Sequence, residues 1–405
     1  MKRRRLLKSG LALGTLTPLA GASAAMEIAR PPWMNKPGTG FSNYGQPSEY
    51  EKAVIRWISA NPAVTGNGVA WCPLHALAGM VTPNGLHFER HHHGVPQIDP
   101  VQHRLMVDGQ VTRALSFSME DLRRYPMRSH LGFIECGGNS SAGWHREPVQ
   151  TSVSYIHGLV SCSEWCGVPL RVLLQEAGAA PDAGWVIAEG ADAFAMQVSL
   201  PMDKAMDDTL VALYQNGEAV RPENGYPLRL VVPGWEGVLH VKWLRRLHVA
   251  SEPAMARNET ARYSDLMPSG KARQFSFTMD AKSVITSPHS AAPLPGPGHW
   301  QISGLAWSGR GRITRVDVSV DGGRSWSAAA LTDPVLAKCL TRFQYGWVWD
   351  GKPTILQSRA VDESGYVQPT RETLLSARGH NAEFHYNAIV SWAIDADGAI
   401  EHVYA

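Results

Sequence analysis

At 405 residues, with 44% hydrophobic and 18% charged residues, the chain has ample apolar content for a packed core and exceeds one average domain, so two domains are expected. Its 14 Trp and 38 Gly point to much β structure and many special turns. The formal charge is only +2, and no basic stripe with interleaved aromatics runs through it, which argues against a nucleic-acid-binding protein.

The first stretch reads as a leader. Arg3-Arg4-Arg5-Leu6-Leu7-Lys8 fits the twin-arginine pattern, Leu11 to Leu19 is a mild apolar run, and Ala22-Ser23-Ala24 supplies a small-residue cleavage site. A Sec signal and an uncleaved anchor are the alternatives, but the run is too short and too rich in Gly, Thr and Pro to span a bilayer. Removal of residues 1–25 takes five cations and no acid, which turns the net charge from +2 to −3. Twin-arginine export carries folded, often cofactor-loaded proteins, so the pattern predicts a periplasmic cofactor enzyme. The cysteines are Cys72, Cys136, Cys162, Cys166 and Cys339, an odd count that leaves at least one thiol unpaired or in use. Cys162 and Cys166 are either a disulfide or two buried thiols. No C-x-x-C-H run for covalent haem is present, and no haem is expected in this chain.

Residues 26–70 read as an arm, Pro- and Gly-rich at first, with a short helix over Glu51 to Ile58. A strand is expected over His103 to Val107 and a helical turn or two over Met119 to Tyr125. Thr151 to Val160 reads as mixed extended structure. Val168 to Ala177 has a helical apolar face with a stop at Gly178. Strands are expected over Trp185 to Glu189, Ala193 to Leu200, Leu210 to Tyr214, Leu228 to Val232 and Val238 to Ala250, with a short helix over Met202 to Met206. Helices and strands interleave without regular βα alternation, so residues 71–268 are expected to form an α+β domain. Composition shifts near Pro268. In residues 269–405 Val316, Val318 and Val320 alternate with Asp317 and Ser319 before the Asp321-Gly322-Gly323 turn, and strands recur over Trp300 to Trp307, Gln344 to Trp349, Thr354 to Val361 and Ile389 to Ile394. That spacing predicts an immunoglobulin-like β-sandwich.

Phe133-Ile134-Glu135-Cys136-Gly137-Gly138-Asn139-Ser140 reads as a buried strand that breaks into turn-forming residues at a cysteine. A thiolate on such a loop suits a soft ligand of a transition metal, although a small buried Cys beside an ordinary turn has the same local pattern. Arg90-His91-His92-His93 is a cationic tract, better suited to an anionic ligand than to a free metal ion, because adjacent imidazoles rarely converge. Asn224 to Arg229 and Gly237 to Leu244 each set a cation beside a turn, as a phosphate site would.

Taken in order, these motifs resemble the sulfite oxidase family of molybdopterin enzymes: F-x-R-x-H at Phe88 to His92, C-x-G-N at Cys136 to Asn139, E-G-x-D at Glu189 to Asp192, G-Y-P-x-R at Gly225 to Arg229 and H-V-K-W-L at His240 to Leu244. The D-G-G-x-S-W run at Asp321 to Trp326 and the A-V-D-E-S-G-Y-V-Q-P run at Ala360 to Pro369 are similar to that family's dimerisation domain. The resemblance implies molybdopterin as cofactor, with Cys136 as thiolate ligand of the molybdenum. It implies that Phe88, Arg90, His91, His92, Asp192, Asn224, Arg229, His240, Val241 and Lys242 surround the pterin and its phosphate. Tyr263 would stand beside the oxygen being transferred, with Arg90 and Trp165 on the anion side of the pocket.

Asn139-Ser140-Ser141, the run Leu159 to Trp165, Tyr263 to Pro268 and His385 to Ile389 resemble the sulfane dehydrogenase branch of the family. Sulfite-oxidising members of the family typically carry an Arg where Ser141 stands. The resemblance therefore implies oxidation of sulfane sulfur on a carrier protein, with electrons leaving to a c-type cytochrome subunit. It further implies a homodimer through the second domain, within a heterotetramer. The alternative is a sulfite dehydrogenase acting on free sulfite.

Overall fold

The computed structural model describes residues 31–37 and 39–405, so the expected leader lies outside the described residues. The chain divides into two compact units, Met1–Lys52 and Ala53–Ala405. The described part of the first holds two 3-10 turns, Pro32–Asn35 and Glu49–Glu51. All that follows concerns the second. No helix among the described residues is long and apolar enough to cross a membrane.

The first half is α+β. Trp57–Ala60, Gly68–Trp71 and Glu89–His91 form a three-stranded antiparallel sheet. The helix expected over Glu51 to Ile58 is therefore corrected: Trp57 and Ile58 pair opposite Trp71 and Ala70, and aromatic and β-branched side chains favour that pleated setting. A second sheet runs Glu218–Ala219, Leu210–Gln215, Val160–Pro169, Arg128–Glu135, with Arg229–Val231 also paired to Leu210–Gln215. A third runs Leu115–Ser118, Arg104–Gly109, Leu244–Ala250, Trp185–Gly190, Gln197–Pro201. The helix Leu170–Ala177 buries Leu170, Leu173, Leu174 and Ala177 and ends, as its pattern predicts, where Gly178 turns to φ 69°. Its leucines share one core with Leu105, Val107, Val186, Val211, Leu230 and Leu247. Burying each leucine is worth about 2 kcal/mol.

Two further expectations are corrected. Thr151 to Val160 contains the helix Val153–His157, capped by Ser152, whose side chain accepts from the Tyr155 N–H. Val238 to Ala250 is not one strand: a 3-10 turn at Gly237–Leu239 is followed by a break, and the strand begins at Leu244. His240 to Trp243 are thereby held in a loop.

The second half is an antiparallel two-sheet sandwich. One sheet runs Lys282–Ser287, Gly298–Trp307, Thr341–Trp349, Ala330–Leu331, and the other Ser327–Ala328, Ile313–Ser319, Thr354–Asp362, Ser391–Ile394, Ile400–Val403. Ile302, Phe343, Val316, Leu356 and Trp392 fill the space between them. Val316 and Val318 are buried as the alternation predicts, yet Asp317 and Ser319 are buried too. Asp317 is compensated by Arg315 and Arg359. A third core joins the halves, packing Phe133, Ile134, Val160 and Trp165 against Val284, Leu305, Trp307 and Leu340.

Candidate active site

The strand Arg128–Glu135 becomes fully buried over its last residues and delivers Cys136 at its end. There the chain turns, the Asn139 N–H bonding back to the Cys136 carbonyl at 2.9 Å. Gly137 has no room for a side chain, since a Cβ would lie 2.0 Å from Glu236 Oε1. Ser140 completes the turn in the left-handed region at φ 66°. Cys136 is half-buried and faces two adjoining cavities. Burial pushes its thiol upward in pKa, opposed by the Gly138 N–H and by the charge of Arg90. A bound cation would favour the thiolate outright.

The inner cavity is narrow, about 100 Å³, and its walls come from six separate stretches, that of Cys136 among them. Phe88, Arg90, His91 and His92 enter from the edge strand Glu89–His91, and Asp192 from the turn after Trp185–Gly190. Asn224 and Arg229 flank the Gly225 turn, and His240, Val241 and Lys242 lie in the loop before Leu244. Tyr263 closes the set. Sequence reasoning missed His87, Met196, Glu223 and Trp243, which line the same walls between the motif residues.

The electrostatics of this cavity call for an anion. Arg229 is 4% exposed, and its Nη atoms donate to the carbonyls of Asn224 at 2.7 Å and His240 at 3.0 Å, while its Nε has no partner. Desolvation lowers it to about 9. Lys242 Nζ donates to the carbonyls of Arg90 at 3.1 Å and Glu223 at 3.2 Å and to His91 Nδ1 at 2.7 Å; burial, then Arg229, pushes its pKa well down. Neither forms an ion pair with a carboxylate among the described residues. Cations held this way cost several kcal/mol unless an anion joins them. A pterin bearing a phosphate would supply that anion, and Cys136 could supply a thiolate for its metal, so the residues present fit a molybdenum–pterin group.

The histidines are fixed as neutral groups. His240 Nδ1 accepts from the Val232 N–H at 3.2 Å and its Nε2 donates to the Trp235 carbonyl at 3.1 Å, and burial lowers it to about 3. His91 Nε2 donates to Glu89 at 2.7 Å. His92 stacks on Phe194 with ring centroids 4.1 Å apart. Its Nδ1 lies 3.3 Å from the Arg90 guanidinium, which can only donate. Its Nε2 therefore carries the proton and donates to the Tyr263 hydroxyl at 3.1 Å, leaving the phenolic hydrogen free to turn into the cavity. Burial raises the Tyr263 pKa, so that hydrogen is retained.

The outer cavity, about 810 Å³, opens beyond Cys136. Ser141, Trp71, Tyr155, His145, Arg90, Arg257 and Arg262 lie on its walls, with Glu383 as the one acid. Trp165, expected on the anion side, lines neither cavity. It is fully buried on the strand Val160–Pro169, beneath Arg229, whose guanidinium lies 4.9 Å from the indole. Trp71 and Tyr155, ring centroids 4.7 Å apart, occupy the aromatic place instead. Cys162 and Cys166 are free thiols, and four residues apart on one strand they sit roughly 13 Å apart, beyond disulfide reach.

Comparison with known proteins agrees with this geometry. Residues 92–258 match the oxidoreductase molybdopterin-binding domain, and residues 273–392 match the Mo-co oxidoreductase dimerisation domain. The chain is 33% identical to the mitochondrial sulfite oxidase of Mus musculus over 72% of its length, covering 58% of that protein. It is also 33% identical to the sulfite oxidase of Gallus gallus over 72% of its length, covering 68% of that protein. Among solved structures, the sulfane dehydrogenase SoxCD from Paracoccus pantotrophus superposes with a TM-score of 0.89 and 46% identity, over 97% of this chain and 100% of that one. A thiol-bearing loop, an anion cradle whose Arg229 and Lys242 form no ion pair among the described residues, and both matching domains lead to one conclusion: the chain belongs to the sulfite oxidase family of molybdopterin oxidoreductases.

Proposed function

We propose that this protein is a periplasmic sulfane dehydrogenase that oxidises sulfur bound to a carrier protein and passes electrons to a c-type cytochrome partner. The observation that carries the reading is Ser141. It lies on an outer cavity of about 810 Å³ beside Cys136, at the position where the family resemblance implies an arginine in sulfite-oxidising members. A small hydroxyl there removes one grip on a free anion and leaves room for sulfur arriving on a peptide arm. The likeness to the SoxCD sulfane dehydrogenase supports the same reading. The twin-arginine pattern supports export, and the dimerisation-domain match supports a homodimer, which we place within a heterotetramer with the cytochrome.

When bound, the molybdenum group supplies oxygen-atom transfer to sulfur and takes up two electrons. This chain's residues do the rest. Cys136 anchors the metal, and Arg229 and Lys242 hold the pterin phosphate. Tyr263, oriented by His92, directs its hydroxyl hydrogen toward the reacting centre, and Arg90 attracts the anionic sulfur. Free sulfite is the second reading, favoured by Arg257 and Arg262 on the same cavity, which form no ion pair among the described residues.

Ser141→Arg tests the proposal. Restoring the cation should raise kcat/KM for free sulfite by on the order of tenfold, one charge-assisted hydrogen bond's worth, and depress turnover of carrier-bound sulfur. Unchanged selectivity would count against a role for Ser141.

A further inference from the structure

One fully buried ion pair beside Cys136 belongs to neither cavity. Glu135, the residue before Cys136, and Lys282, from the first strand of the sandwich, are each about 1% exposed and meet at 2.9 Å. Glu135 Oε1 also accepts from Asn139 Nδ2 at 2.9 Å, and its Oε2 accepts from the Trp307 indole N–H at 2.6 Å. Lys282 Nζ donates a second bond to Ser140 Oγ at 2.6 Å. With its oxygen so occupied, the Ser140 hydroxyl donates to His157 Nδ1 at 2.7 Å. Lys282 and Trp307 pair across neighbouring strands, so one edge of the second half grips both ends of the loop 135–140.

The grip matches what the loop needs. Ser140 holds a left-handed backbone that a non-glycine residue adopts only at a cost. Asn139 Oδ1 accepts from the Leu159 N–H at 3.0 Å, and the Cys136 N–H donates to the Leu159 carbonyl at 2.9 Å. The loop is thus tied on one side to its own sheet and on the other to the sandwich. A buried ion pair is a poor stabiliser compared with an apolar pair of the same volume, so its value lies in fixing geometry.

We propose that Lys282 is a positioning residue for the metal site: acting through Glu135 and Ser140, with Trp307, it sets the direction in which Cys136 presents its sulfur. The sandwich is then part of the active-site framework as well as a dimerisation domain. This rests on Cys136 being the molybdenum ligand.

The test compares molybdenum-loaded wild type with Lys282→Met, Trp307→Phe and Cys136→Ser by metal content, Mo(V) electron paramagnetic resonance and turnover. Lys282→Met should bind metal and pterin, show a shifted or heterogeneous Mo(V) spectrum, and lose about 10- to 100-fold in kcat, as expected for sub-ångström misplacement, with KM within about twofold. Trp307→Phe, which deletes one donor, should move the spectrum in the same direction by less. Should Lys282→Met fail to fold, Glu135→Gln with Lys282→Met removes the pair without stranding a charge and is read the same way. Wild-type spectra and kcat in the loaded variants, whatever their melting temperatures, would overturn the positioning role. A wild-type spectrum in Cys136→Ser would instead overturn the ligand assignment, so the two failures are distinguishable.

Discussion

In the proposed function Cys136 concentrates the chemistry, and much of its surroundings was legible from residue types. A soft thiol on a turn-forming loop and separated cations beside turns point to an anionic cofactor with a metal, and those residues converge on one narrow cavity. Cys136→Ser should therefore keep the fold and the pterin but lose at least about 1,000-fold in turnover, as loss of an essential group does; substantial residual activity in pterin-loaded protein would contradict the ligand role. Trp165 was misplaced for a physical reason: its aromatic payload serves as a floor beneath Arg229, and nothing in a sequence separates a cavity wall from the layer behind it. Asp280 has a role no motif announces. His385 and Arg310 hold its carboxyl down, at about 2 against an ordinary 3.8, overcoming burial. A depressed acid stabilises above its unfolded pKa and loses that contribution as pH falls through its folded value. Asp280→Asn should cost about 2 kcal/mol at pH 7, with the difference from wild type unchanged to about pH 5 and shrinking from pH 4 toward pH 2. Urea midpoints across that range check the sign, and a deficit that grows on acidification would refute it.

Among elements, those with a strong local period were readable and those fixed by partners were not. Leu170–Ala177 announced itself by an apolar face and a glycine stop, and it forms with Gly178 at φ 69°. A Cβ at Gly178 would add backbone strain and meet Thr112 Oγ1 at 2.7 Å. Gly178→Ala should therefore cost about 1–2 kcal/mol, seen as a lower urea midpoint without loss of bound cofactor; a neutral change would show that the cap relaxes freely. Trp57–Ala60 misled because its preceding acids and lysine favour a helix, whereas a neighbouring strand supplies its hydrogen-bond partners. Val153–His157 misled in the opposite sense. Its valine, tyrosine and isoleucine favour strands, but Ser152 caps a single helical turn that carries Tyr155 to the outer cavity.

At the scale of the whole molecule, two halves of different architecture share a core, and that shared layer underlies the Cys136 loop. The α+β half followed by a sandwich was readable because strand spacing and composition change along the chain. The Lys282–Glu135 pairing was not, since the partners lie 147 residues apart and each looks like an ordinary charge in its own segment. The narrow inner slot, the cation wall and the open chamber at Ser141 are the features on which the proposed delivery of sulfur by a carrier rests. The most direct measurement is steady-state reduction of a c-type cytochrome by exported, molybdenum-loaded protein, with a sulfur-loaded carrier protein compared against free sulfite. Turnover of the carrier-bound sulfur should exceed that of sulfite by at least about 100-fold in kcat/KM, the scale of discrimination a shaped site supplies. Rapid oxidation of free sulfite with an inert carrier would contradict delivery and make this a sulfite dehydrogenase.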